Sequence, residues 1–146
     1  MKCAFCNDPG IKARTIADAE LAVAFPTFTP IVPGHVLIAP KRHVQYFEEL
    51  TADEKEVIED LRCKLHAALR TTFGAEGFNY AWNEERIGGQ SVPHFHLHIL
   101  PRKGGDAGVH SYEPREFIYR PVPTNERPQS PEAELIAIST LIREAL

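Results

Sequence analysis

Three histidines stand at every second position in Pro93-His94-Phe95-His96-Leu97-His98-Ile99, separated by large apolar residues. Successive side chains of a strand point to opposite faces, so this spacing puts the three imidazoles on one face and Phe95, Leu97 and Ile99 on the other. One imidazole on a strand is most simply a surface residue, whereas three in strict alternation point to chemistry. A strand rises about 3.3 Å per residue, so the outer pair lies about 13 Å apart, against a zinc-to-imidazole bond of about 2 Å. Two of the rings could share an ion, but not all three, which disfavours a hydrolase with a catalytic zinc on the whole set. The set must divide its labour. Phosphorus chemistry suits that division: one ring attacks while its neighbours orient it or donate to phosphate oxygens. A neutral imidazole, with an ordinary pKa of about 6.5, keeps one nitrogen unprotonated near neutrality if an acceptor holds the proton on the other. Gln90 and Ser91, just upstream, can donate hydrogen bonds to a phosphoryl or leaving-group oxygen.

The elements that must position these residues are legible around them. The apolar runs Leu21–Phe25 and His35–Ala39 read as strands joined by a proline-rich turn. Thr51 and Glu54 form a capping-box pattern, and Val57, Ile58, Leu61, Leu65, Ala68 and Leu69 recur at helical spacing until Gly74, which predicts one long helix. Residues 77–82 read as a third strand and 93–100 as a fourth, with the paired glycines of Asn83–Gln90 marking a loop between them. A further strand is expected at 116–120 and a terminal helix at 131–146. The fold class is therefore α+β, a mainly antiparallel sheet packed against one long helix plus a C-terminal helix.

His94-Phe95-His96-Leu97-His98-Ile99-Leu100 resembles the His-φ-His-φ-His-φ-φ signature of the histidine triad superfamily. The likeness extends to the strand signature Pro33-Gly34-His35-Val36-Leu37-Ile38-Ala39-Pro40-Lys41-Arg42-His43, to Gly89-Gln90-Ser91-Val92 before the triad, and to Pro101-Arg102 with Gly105-Asp106 after it. It covers about residues 1–106 of a single 146-residue domain, with 107–146 a less specific extension. The resemblance implies a nucleotide hydrolase or transferase, usually a homodimer, that cleaves a phosphoanhydride or phosphoramidate at the α-phosphate through a nucleotidyl-histidine. Carried onto this chain, His96 is the nucleophile, with His98 and His35 binding phosphate oxygens and fixing its orientation. Gln90 holds the bridging oxygen, Ser91 assists the leaving group and Asn83 lies near the phosphates. Thr27 stands where relatives commonly carry an acidic residue or asparagine for the ribose hydroxyls, and a threonine cannot accept from two hydroxyls as a carboxylate does. The resemblance also implies a structural zinc on Cys3, Cys6, His43 and His94, a closed set of two sulfurs and two nitrogens that activates no water. A contrasting reading keeps the fold and the zinc in a nucleotide-binding or protein-interaction module with negligible turnover.

Composition sets the outer bounds. At 43% hydrophobic and 25% charged, the chain has the balance of an ordinary soluble domain. A net charge of −4 lacks the electrostatic footprint of a protein that binds duplex nucleic acid, so a small anionic ligand at a local basic spot is the expected partner. Three cysteines, two of them close together, suit reduced thiols or a metal rather than a disulfide framework. No apolar stretch is long enough to span a bilayer and the chain opens without a leader-like segment, from which a cytoplasmic location is expected.

Overall fold

The computed structural model describes residues 3–106 and 129–146. Two short helices, α1 (Ala4–Asn7) and α2 (Pro9–Ala13), precede strands β1 (Ala17–Asp18), β2 (Ala22–Pro26) and β3 (Val36–Pro40). Helix α3 (Ala52–Phe73), β4 (Gly77–Ala81), β5 (Leu97–Arg102) and helix α4 (Glu132–Glu144) follow. Among the described residues all strand pairings are antiparallel, in the order β1-β2-β3-β5-β4, so β5 enters between two earlier strands. That insertion sets Leu37 opposite His98 and Ala81 opposite the same histidine on the other side.

Helix α3 forms where its pattern predicts. Thr51 caps it, accepting from the Glu54 N–H, while the Glu54 carboxylate takes the Thr51 N–H. At the other end Gly74 adopts the left-handed conformation, φ 64°, that ends the helix. Ile58, Leu61, Leu65, Ala68 and Leu69 form its buried stripe and pack with Val36, Ile38, Phe95, Leu97 and Ile99 in one core. Helix α4 closes that core from the far end of the chain through buried Ile142, with Ile138 packed against it. Its entry is tied back by the Ser130 N–H donating to the Phe28 carbonyl at 2.8 Å.

Two differences from the sequence expectation matter for the site. The fourth strand begins at Leu97 rather than Pro93, because the Phe95 N–H leaves the ladder to donate to the Val44 carbonyl at 2.6 Å and the His94 N–H closes a turn onto Val92. His94 and His96 thus lie on an extended lead-in, and only His98 sits in the sheet. The cysteine pair lies on a helical turn, with Cys3 the N-cap residue of α1 and Cys6 within it. A spacing of three residues on a helix brings two side chains to one face. The expected strand at 116–120 falls outside the described residues, and the terminal helix is shorter at both ends than the expected 131–146.

Candidate active site and metal centre

The lead-in keeps the alternation that the sequence pattern implies. Phe95, Leu97 and Ile99 are buried in the main core. On the opposite side the Phe5 ring lies edge-on to both His94 (5.6 Å between centroids) and His96 (4.9 Å), and His96 packs against His98 (4.8 Å).

Hydrogen bonds to the backbone assign the proton on each ring. His96 Nδ1 lies 2.8 Å from the His94 carbonyl, an acceptor only, so Nδ1 carries the proton and Nε2 the lone pair. His35 Nδ1 accepts from the Ile31 N–H at 3.1 Å, so its Nε2–H donates to His98 Nδ1 at 2.9 Å. His98 then carries its own proton on Nε2, and the ring beside His96 is a donor. Gly34 makes this relay possible. Its φ of 86° is a left-handed turn conformation, and a Cβ there would meet Phe73 and Pro101 at 3.0 Å, so the chain turns tightly into His35.

A recess of about 40 Å³ opens over these rings, lined by Phe5, Thr27, His35, Ser91, His96 and His98 among others. Of the sequence-predicted residues, the structure brings these five polar groups together. Gln90 and Asn83 stand outside the lining. The Asn83 amide donates to the Gly89 carbonyl at 3.4 Å. Gln90 is 6% exposed and its amide is braced against Gln45 and Glu85. Thr27, also buried, accepts the Thr29 N–H at 3.3 Å, which occupies part of its limited acceptor capacity. Phe5 is the site residue that sequence reasoning missed; its place beside two zinc-spaced cysteines was the available signal.

The second centre shares a residue with the first. His94 Nε2 lies 2.8 Å from the Pro40 carbonyl and so is protonated, leaving the Nδ1 lone pair to face the cysteines. His94 Nδ1 is 3.4 Å from Cys3 Sγ, 3.6 Å from Cys6 Sγ and 3.2 Å from His43 Nδ1, and Cys6 Sγ is 3.7 Å from His43 Nδ1. All four donor atoms lie within 4.8 Å of one another. A tetrahedral zinc with bonds of about 2.3 Å to sulfur and 2.0 Å to nitrogen has edges of about 3.5 Å from sulfur to nitrogen and 3.3 Å between nitrogens. The donor set therefore fits zinc in type, number and spacing. Burial, and then the neighbouring Cys3, raise the Cys6 thiol above its ordinary value, so two thiolates here call for a cation. Burial lowers the His94 imidazole, with the charge of His43 adding to the effect and the Pro40 hydrogen bond opposing it, which keeps the ring in the neutral form that binds metal.

An open antiparallel sheet backed by one long helix, with alternating histidines leading into an interior strand, defines the histidine triad class of protein. Residues 9–105 match the HIT domain, and the chain belongs to that family. An uncharacterised HIT-like protein of Mycoplasma genitalium is 33% identical over 139 residues, covering 94% of this chain and 93% of its own. The bifunctional bis(5'-adenosyl)-triphosphatase/adenylylsulfatase of Arabidopsis thaliana is 37% identical over 107 residues, 73% of this chain and 57% of that protein, so little more than half of it is matched. An adenosine 5'-monophosphoramidase of Schizosaccharomyces pombe is 32% identical over 75% of this chain and 80% of its own length. Among solved structures, a HIT family member from Bacillus subtilis superposes with a TM-score of 0.66 at 28% identity, covering 79% of this chain and 89% of that one. A zinc-bound histidine triad protein from Mycobacterium smegmatis shares the fold, with a TM-score of 0.73 at 24% identity over 99% and 93% of the two chains. No helix among the described residues is long and apolar enough to cross a membrane.

Proposed function

We propose that the protein is a nucleotide hydrolase or transferase that cleaves a phosphoanhydride or phosphoramidate at the α-phosphate, with His96 as nucleophile. The observation that carries this reading is the His96 tautomer: its Nδ1–H is committed to the His94 carbonyl, which leaves the lone pair on Nε2 beside the donor ring of His98. His96 Nε2 attacks phosphorus, the bond from phosphorus to the leaving oxygen or nitrogen breaks, and that atom departs with the electron pair. Water or another acceptor then attacks the nucleotidyl-imidazole and the bonding pair returns to Nε2. The His98 Nε2–H, held in place by His35, donates to a phosphoryl oxygen as charge develops. Ser91, in the lining, donates on the leaving-group side, and Thr27 contacts the sugar end. Asn83, tied to Gly89, shapes the loop from a step further away. The diadenosine-phosphate and phosphoramidate activities in the names of the relatives support the substrate class.

Zinc on Cys3, Cys6, His43 and His94 is read as structural, because four protein donors close its coordination shell and leave no position for a reacting water. We also read the protein as a homodimer: β4 is a sheet edge among the described residues, and Tyr80 within it and Trp82 just beyond it are 38% and 43% exposed. Helix α3 and the loop 83–90 offer the adjoining contact surface. Sedimentation equilibrium tests this, and a monomer at micromolar concentration would count against it.

The test of function is intact-mass spectrometry after brief mixing with nucleoside phosphoramidates and dinucleoside polyphosphates, comparing wild type with His96→Ala. A nucleoside-monophosphate adduct on wild type alone is the expected result. Folded, zinc-loaded protein that gives neither adduct nor turnover across the panel would instead favour a nucleotide-binding module.

A further inference from the structure

The loop between β4 and the triad contains a backbone conformation with no evident local reason. Glu85 has φ 63° and ψ 158°, a region that only glycine occupies readily, and it is the single non-glycine residue with positive φ among those described. The Glu85 carbonyl accepts the Gly88 N–H at 3.0 Å, and two further contacts of its backbone tie Glu85 to Gln90. The Glu85 N–H donates to Gln90 Oε1 at 3.1 Å, and the Glu85 carbonyl accepts the Gln90 N–H at 3.0 Å. Gln45 grips the same amide from the other side: its Nε2 donates to Gln90 Oε1 at 3.2 Å, and its carbonyl accepts from Gln90 Nε2 at 3.1 Å. Tyr46 adds a hydroxyl hydrogen bond to the Glu85 carboxylate, and the Phe47 N–H donates to Glu84.

The capacity of a glutamine amide is two acceptor sites and two N–H donors. Here both acceptor sites and one donor are taken within the clamp, and no described residue takes the second N–H. The adjacent residue, Ser91, lines the recess over His96. We propose that Gln45, with Tyr46 and Glu85, is a positioning residue that clamps the Gln90 amide so that its remaining N–H donates to the leaving-group atom beside Ser91. This rests on the reading of His96 as nucleophile. A strained backbone and a doubly gripped amide together fix one donor in direction, which a freely rotating glutamine cannot do.

The effect of such a donor depends on the leaving group. As the bond to phosphorus breaks, a basic leaving oxygen or nitrogen gains charge that needs the N–H, whereas p-nitrophenolate carries its own charge well. The experiment measures adduct formation on His96 by rapid quench for a series of nucleoside monophosphate esters and amidates of graded leaving-group basicity. Wild type is compared with Gln45→Glu, which sets an acceptor against Gln90 Oε1, and with Gln45→Met, which keeps the bulk and removes the donor. The expected result is a loss of about ten-fold or more for the most basic leaving groups and under about two-fold for p-nitrophenolate, with KM unchanged. Amide hydrogen exchange across residues 84–91 should quicken in both variants. An equal loss across the series, no loss at all, or unchanged exchange in that loop would each overturn the clamp. If Gln45→Glu fails to fold, Gln45→Met gives the same comparison. Wild type that forms no adduct with any compound overturns the nucleophile assignment instead, and exchange alone then judges the clamp.

Discussion

His94 and His96 are two residues apart on one extended segment, each with a ring nitrogen 2.8 Å from a backbone carbonyl, yet they are prepared for different work. The Pro40 carbonyl takes the proton of His94 on Nε2, which turns the Nδ1 lone pair toward two thiols and a second imidazole. The carbonyl of His94 itself takes the proton of His96 on Nδ1, which leaves the Nε2 lone pair over the recess. The comparison teaches that the nitrogen occupied by a carbonyl, rather than the residue type, decides which way an imidazole presents its lone pair, and this is what separates the ligand and nucleophile roles proposed for the two rings.

The sharpest way to break this comparison is to exchange the two outcomes of mutation. His96→Ala should lower turnover by at least about a thousand-fold. It should leave zinc content and Tm unchanged, as read by kinetics, metal analysis and calorimetry; loss of bound metal would show that the two centres are not separable. Removing the metal should do the reverse. Chelation, or Cys6→Ala, should cost roughly 4 kcal/mol and about 10 °C in Tm, since an ion on these four donors would cross-link distant parts of the chain. A freshly purified sample holding no metal would remove that claim.

A smaller effect sharpens the contrast through pH. In the metal-free protein His94 is held below its ordinary value by burial, so between that lowered value and the ordinary histidine range the unfolded chain binds a proton that the folded one does not. Stability should therefore be fully present above the ordinary range and fall as pH drops through that window, then level off below it. Urea titrations of wild type and His94→Asn from pH 7.5 downward check this, and parallel curves for the two would refute it. The smallest effect should come from Cys63, exposed on α3 and, among the described residues, bonded to Glu59 and Arg62 of its own helix. Cys63→Ser should keep one zinc per chain and shift stability by no more than about 0.5 kcal/mol, confining the metal to the other two cysteines.

Much of this was legible in the sequence because it depends on short-range pattern. The cap at Thr51, the stripe on α3 and the stop at Gly74 are local signals, and they fall where expected. Alternation around Phe95 also held, although the strand itself starts later, since an extended chain alternates whether or not its N–H groups join a ladder. The ladder was broken by Val44, some fifty residues earlier, and nothing within the triad announces that partner. The same reason hid the commitment of Gln90 to Gln45. A glutamine before the triad offers donors on paper, but only the fold reveals which of them are already in use. Phe5 was missed because α1 is a single turn with no periodicity to read.

The four metal donors come from positions 3, 6, 43 and 94, so an ion there would act as a staple spanning about two thirds of the chain. Tying Cys3 to His94 closes a loop of about 90 residues, which in a chain-entropy view removes about 4 to 5 kcal/mol of freedom from the unfolded ensemble. The staple does more than lower that entropy. Helices α1 and α2 are too short to persist alone, yet α1 carries Phe5, the wall against both His94 and His96. In the proposed reading the chain would thus borrow part of its active-site lining from a segment that metal, rather than helix propensity, fastens down.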